Sequence, residues 1–439
     1  MKRFVLALAA TSLLAGCGIF NGRSGPRTPT VGTRIPVLSS EAGVVVDPEL
    51  ASVPVVTPAP VVNTEWSQSG GNASKSMGHV ALPASLTRAW TASIGSGSST
   101  SGRLAAAPVV AGGRIYTIDT QSVVRAFDAA TGASVWQTAV RGQGASGETL
   151  FGGGVSFAEG RLYATNGAGF ATALDAATGA QIWQVRPGGP LRGAPTIAAG
   201  NVYVVSQDNQ LFALNAADGA SLWSKSGSVE ASGVFGTAAP AFGQSTVVAG
   251  YSSGELSAYR YENGQEVWGD ALTRTTVTTS VHALTDIDAD PVIDQGRVYA
   301  IGQGGRMVAL ELNTGQRIWE LNIAGIATPA VAGDWVFVVT DAAQLLAIAR
   351  STGRVRWMSQ LRRFRDEEDR KGPITWHGPV LAGGRLVLVN SLGAIAHVSP
   401  VDGSVQLTEE TGTPISLPPV VANNMLYILD DSGRLTAWR

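Results

Sequence analysis

Three aspartates alternate in Asp286-Ile-Asp288-Ala-Asp290, a spacing that could present carboxylates to a divalent cation or to a basic partner. A helix-flanked calcium loop starting at Asp286 needs glycine at its sixth position for the sharp turn and a bidentate glutamate at its twelfth. Those positions hold Pro291 and Arg297, so the run does not have the calcium-loop pattern. Gly250-Tyr-Ser252-Ser-Gly254 carries the letters of a nucleophile elbow, but that motif needs a helix on its C-terminal side. The residues on that side, Glu255-Leu-Ser-Ala-Tyr259, alternate as in a strand, which makes the segment a hairpin turn. Gly142-Gln-Gly144-Ala-Ser-Gly147 matches a dinucleotide-binding pattern without the βαβ unit that gives it meaning. His79, His282, His377 and His397 lie far apart and show no ligand spacing. No catalytic residue, metal ligand or cofactor site is therefore assigned, and function is expected in loops on a rigid scaffold.

The single cysteine carries a sharper signal. Lys2 and Arg3 precede an apolar stretch, Phe4 to Leu14, which leads into Leu14-Ala15-Gly16-Cys17. The stretch is short for a membrane span and is interrupted by Thr11 and Ser12, so it reads as an export signal. Leu-Ala-Gly-Cys resembles the bacterial lipobox, in which cleavage before the cysteine accompanies its acylation. Residues 1–16 are then a signal peptide and Cys17 the lipid attachment site. Gly18, where an aspartate would favour retention in the inner membrane, implies the outer membrane facing the periplasm. One cysteine allows no disulfide framework, so stability must come from packing. Without Lys2 and Arg3 the 31 basic residues fall to 29 against 33 acidic, a net charge of −4. With no basic block, nucleic acid is not an expected partner.

Residues 17–64 hold the cysteine and a tether rich in Pro, Val and Ser, in which Pro54, Pro58 and Pro60 favour extended chain. A flexible tether of this length spans roughly 40 Å. Stretches such as Val44-Val45-Val46 could add a strand to a partner or to the chain's own body.

From about residue 84, within an expected propeller domain of residues 65–439, the sequence repeats. One unit runs Pro108-Val-Val-Ala-Gly-Gly-Arg-Ile-Tyr116, Ala126-Phe-Asp-Ala-Ala-Thr-Gly132, Trp136, and the next has Gly160-Arg-Leu-Tyr163, Ala173-Leu-Asp-Ala-Ala-Thr-Gly179, Trp183. The Thr-Gly or Asp-Gly pair ends a tight turn that needs positive φ, and the preceding Asp or Asn can cap that turn. Runs such as Val202-Tyr-Val-Val205 are too short for helices and apolar on both alternating faces, as in strands buried from two sides. The tryptophan slot falls at 90, 136, 183, 223, 268, 319, 357 and 407, where it holds leucine. That spacing averages about 45 residues, the length of a four-stranded propeller blade. The last repeat has only three strands, and Leu86-Thr-Arg-Ala-Trp-Thr91 supplies the fourth. The expected fold is all-β: an eight-bladed β-propeller of four-stranded antiparallel blades, closed by an N-terminal strand.

The unit Ala-Leu-Asp-Ala-x-Thr-Gly-x-x-x-Trp resembles the repeat of the quinoprotein alcohol dehydrogenases and of the BamB family, lipoproteins of the outer-membrane β-barrel assembly machinery. With its lipobox and tether the chain resembles the BamB family along essentially its whole length. The dehydrogenases are the alternative; they carry a disulfide between adjacent cysteines over the quinone, which a chain with one cysteine cannot form. The BamB resemblance implies a non-enzymatic scaffold with no cofactor. It would bind the central barrel subunit BamA and other assembly-complex lipoproteins, with unfolded outer-membrane proteins as potential clients at blade edges. It also implies a docking surface at Asp286 and Asp288, together with Val234 and Phe235 in the preceding inter-blade segment, where relatives carry an arginine that this stretch does not have. As loop carboxylates, Asp286 and Asp288 are expected to be solvated and to contribute little to stability. Arg362 to Lys371 is expected to be a solvated mixed-charge loop. Membrane contact is expected through the lipid alone, so Cys17→Ala should abolish acyl labelling and release the protein from the membrane fraction. Labelling that survives the substitution would place the anchor elsewhere.

Overall fold

The computed structural model describes residues 44–142, 151–228, 238–273 and 285–439. Cys17, Val234, Phe235 and His282 lie outside the described residues. Eight four-stranded antiparallel sheets form the ring. Blades 1 to 7 span residues 109–139, 153–185, 196–226, 241–271, 292–321, 330–360 and 376–410. In each, strands a to d run outward from the axis in chain order. Blade 8 takes strands a to c from Val420–Ala422, Met425–Leu429 and Arg434–Trp438, and strand d from Arg88–Ser93. Thr87 and Arg439 exchange backbone hydrogen bonds of 2.8 and 2.9 Å at this closure. The expected ring, its blade count and its N-terminal closing strand are thus all present.

The core is divided into eight layers, each between two neighbouring blades. Val202 and Val204 face blade 2, whereas Tyr203 and Val205 on the same strand face blade 4. Val336 and Val338 likewise pack on blade 5, and Trp335, Phe337 and Val339 on blade 7. Strands apolar at every position are what this two-sided burial requires.

The repeated tryptophan joins each blade to the next. Its indole Nε1 donates to a carbonyl just beyond strand c of the following blade: Trp136 to Ala176 at 3.1 Å, Trp268 to Leu312 at 2.7 Å, Trp319 to Arg350 at 2.9 Å. Tyr116 Oη donates to the same Ala176 oxygen at 3.2 Å. The indole ring lies over the turn glycine of the following blade. A Cβ on Gly179 would sit 2.5 Å from Trp136, and one on Gly315 would sit 2.5 Å from Trp268. Both glycines also hold positive φ, so two constraints independently exclude a side chain there. Leu407 is the exception. The blade after it has no turn between strands c and d, because the chain is interrupted there, and so has no glycine for an indole to cover.

The expected flexible tether packs against the ring from Val44 onward. Val46 bridges Val355 in parallel, Arg354 pairs with Asp47 and Glu49, and Val55 is buried. The valines thus add to the chain's own body, because outer strand d of blade 6 offers an unpaired edge and a guanidinium. Residues 61–80 then line the unpaired inner edges of the blades. Backbone groups at Asn63, Trp66, Ser67, Ala73, Ser74 and Val80 bond blades 8, 1, 2, 4, 5 and 7. The Gln68 side chain exchanges two hydrogen bonds, of 2.9 and 3.0 Å, with Ile197 of blade 3.

The docked indole and its exception yield a direct test. Trp319→Ala should cost about 3–5 kcal/mol of stability in urea unfolding. Leu407→Ala, at a side chain 49% exposed, should stay within about 0.5–1 kcal/mol of wild type. Equal losses would deny the indole its role in joining blades.

Candidate functional site

Loops entering strand a of successive blades converge on the axis, several bringing a small residue and a proline: Ala107-Pro108, Ala194-Pro195, Ala239-Pro240, Thr328-Pro329 and Pro418-Pro419. Between them lies a cavity of about 320 Å³ with walls that include Ala105, Val155, Ile326, Val380 and Leu417. Its floor is the strap formed by residues 61–80, through Trp66, Gln68, Ser69, Lys75 and Met77. The axis is therefore a funnel floored by the chain's own N-terminal segment.

The aspartate run lies along one side of this funnel, and here the structure corrects the sequence reading. Asp286 is 1% exposed, and the Asp288 side chain 9%. Both face the guanidinium of Arg192, from the loop ahead of blade 3, at 3.8 and 3.3 Å. Gln303 donates to the other oxygen of Asp288 at 2.7 Å. Burial pushes the Asp288 carboxyl up to about 6; Arg192 pulls it down, while Asp286 and Asp341 push it further up. The loop is held inward because Thr285 Oγ1 donates to Ser252 O and Ile287 N to Tyr251 O, while Gln303 N donates to Asp286 O. These are structural carboxylates in a paired, buried network. Asp290 turns to the strap, accepting from Ser69 Oγ at 2.6 Å and from Ala239 N at 2.7 Å.

Other sequence candidates fall into place around this network. Ser252, central to the nucleophile-elbow letters, sits in a turn, and its hydroxyl donates to Asn209 Oδ1 at 2.8 Å. His79 Nδ1 is 2.6 Å from Pro58 O, and its Nε2 accepts from Gly384 N at 2.8 Å, which assigns the proton to Nδ1. Arg385 Nε donates to His397 Nδ1 at 2.7 Å. His377 lines the funnel, and desolvation lowers its imidazole to about 4. The three described histidines serve separate places. Arg362 to Lys371 contains a two-stranded hairpin, Phe364–Asp366 with Lys371–Pro373, and most of it is exposed as expected. Among the described residues no group of three or more His, Cys, Asp or Glu is arranged to hold a metal ion, and no helix is long and apolar enough to cross a membrane.

Sequence reasoning missed Arg192 and Lys75. Leu191-Arg192-Gly193 resembles any inter-blade loop, and Lys75 lies in a polar run, Asn72-Ala-Ser-Lys-Ser76, that reads as solvated.

Fold and repeat together define an eight-bladed propeller of the quinoprotein-like repeat class. The family model described as outer membrane protein assembly factor BamB matches residues 120–359. The chain belongs to the BamB family. A Yersinia pestis protein named outer membrane protein assembly factor BamB is 26% identical over 443 residues, covering 100% of this chain and 98% of that protein. The Vibrio cholerae protein of the same name is 34% identical, over 65% of this chain and 69% of its own length. Among solved structures, BamB from Moraxella catarrhalis aligns with a TM-score of 0.64 at 20% identity, over 81% of this chain and 98% of that one. A europium-containing methanol dehydrogenase aligns with a TM-score of 0.67 at 15% identity, over 83% and 89%. At those identities the structural likenesses speak for the fold alone.

The buried network makes a pH-dependent prediction. A carboxyl whose pKa is raised on folding favours the fold as pH falls from above 6 toward its unfolded value near 4. Arg192→Met removes the cation facing Asp286 and Asp288, which should cost about 3–5 kcal/mol at pH 8. The loss should shrink at pH 5, where Asp288 is protonated in the folded state. Urea unfolding at both pH values checks this, and a loss independent of pH would mean the pair is not electrostatically coupled.

Proposed function

We propose that this protein is a non-enzymatic scaffold subunit of the outer-membrane β-barrel assembly complex, lipid-anchored through Cys17 and facing the periplasm. Membership of the assembly-factor family carries the reading, supported by a relative that aligns over nearly the full length of both chains. On this reading the ring docks a BamA-like barrel subunit, and other lipoproteins of the complex gather around it.

The docking surface is assigned to the inter-blade segments between blades 3 and 4 and between blades 4 and 5, through Val234, Phe235, Asp286 and Asp288. The burial of the two aspartates changes their proposed part. They brace the second segment from inside, through Arg192 and Gln303, while apolar side chains of the first make the contact. Anchors of that type supply most of the energy in protein interfaces. The non-enzymatic assignment draws on the single cysteine, which cannot form the paired-cysteine disulfide of the quinone enzymes.

Pull-down of tagged protein from detergent-solubilised membranes should recover a BamA-like barrel subunit. Phe235→Ala should weaken that capture by about 1–3 kcal/mol, roughly 5- to 150-fold, with the melting temperature unchanged. Wild-type capture by the folded variant would move the surface elsewhere. Quinone-dependent alcohol oxidation by the pure protein, with no barrel subunit recovered, would overturn the scaffold reading in favour of an enzyme.

A further inference from the structure

We propose that the axial funnel binds a small amphiphilic carboxylate, its apolar body against the alanine and proline wall and its carboxylate on Lys75 Nζ. This site is independent of the scaffold reading. Its starting point is a buried cation with no ion-pair partner among the described residues. Lys75 is 3% exposed, yet among the described residues no carboxylate oxygen comes within the 4.0 Å of an ion pair. Its ammonium has three N–H donors, and the one acceptor it reaches is Thr196 Oγ1 at 3.0 Å. That hydroxyl is a true acceptor, because its own proton goes to Pro240 O. Asp290 is the nearest source of negative charge, but both of its oxygens are already engaged, by Ser69 and Ala239.

A buried charge normally persists only when paired. Here burial pulls the ammonium down to about 8, with Asp290 opposing that only in part. The residue is fixed rather than adaptable. It stands at φ +64° in a turn where Asn72 Oδ1 accepts from Ser76 N and Ser74 Oγ, and Asn72 Nδ2 donates to Ser76 O. These bonds hold the Lys75 backbone in place within the strap that lines the inner blade edges.

The space beside it has the matching character. About 320 Å³ lies between mainly apolar walls, near the lower end of the usual range for ligand pockets. Asp288, the other acidic group lining the funnel, is engaged by Arg192 and Gln303. A ligand bearing one carboxylate would give Lys75 the acceptor it lacks, and an apolar body would meet alanine, valine and proline. A ligand cation would face an unpaired ammonium at the floor.

The full-length protein can be titrated calorimetrically with octanoate, and with octan-1-ol and octylamine as neutral and cationic controls of equal length. Octanoate should bind at least tenfold more tightly than either control, and it should slow modification of Lys75 by a small amine-reactive reagent, located by peptide mass mapping. Lys75→Met keeps the shape and removes the charge; it should lose octanoate binding at least tenfold while melting no lower than wild type. Octylamine binding best, octanol matching octanoate, or octanoate binding that survives in folded Lys75→Met would each overturn the proposal. If the variant does not fold, the three-ligand comparison and the protection of Lys75 decide it on the wild-type protein. Barrel-subunit capture is measured separately, so failure here leaves the scaffold reading standing.

Discussion

Seven of the eight blade junctions are held by an indole that must find glycine on the neighbouring blade. The tryptophan of strand d spends its one N–H on a carbonyl of the next blade and lays its ring where a Cβ cannot be. The same glycine is needed by the turn it ends, since its φ is positive. Turn chemistry and inter-blade packing thus converge on one residue. This coupling explains why Thr-Gly and Trp recur at fixed spacing while the residues between them drift. It also explains why the slot decays at Leu407 and nowhere else. Blade 8 is assembled from both ends of the repeat region, so its strands c and d have no connecting turn and offer no glycine platform. The closure relies on strand pairing between Arg88–Ser93 and Arg434–Trp438 instead.

A ring of eight sheets leaves two kinds of edge, and they are managed differently. Outer edges carry polar and charged residues beside the tryptophan, as in Ser221–Ser226 and Glu266–Ala271. Six of the eight inner edges are three-residue strands, all crowded around the axis, where water would have to satisfy every backbone group. The strap meets that need with its own amides and carbonyls, and does so in nearly the order of the blades. One continuous segment therefore contacts almost the whole ring. A local disturbance at the axis is shared among blades that are far apart in sequence.

Much of this was legible in the amino-acid sequence because it rests on local, repeated chemistry. Blade count, strand order and the closing strand are set by spacing, period-two hydrophobicity and turn residues. The strap was not legible. Its valines and prolines have the composition of a linker, and whether such a segment floats or docks depends on edges supplied by residues hundreds of positions away, such as Val355 and Leu381. The same limit hid the nature of the aspartate run. Alternating carboxylates in a long loop read as solvated, and only the three-dimensional arrival of Arg192 makes their burial tolerable.

These arrangements separate the two faces of the ring. Turns between strands a and b, and between c and d, lie on one face, where the strap passes by Gly333, Gly383 and Asn423. Turns between b and c, and the connections from one blade to the next, lie on the other. On the strap face, variation is constrained by glycines that touch indoles and by backbone groups already bonded to the strap. The opposite face carries the connections from one blade to the next, and among them Asp286, Ile287 and Asp288 are packed inward. Arg192, Asn209, Ser252 and Gln303 tie neighbouring turns of that face together beneath the loops. The underside of that face is therefore tied together across blades 3 to 5. Indole–glycine contacts on one face and the buried polar network on the other thus hold the same ring from both sides.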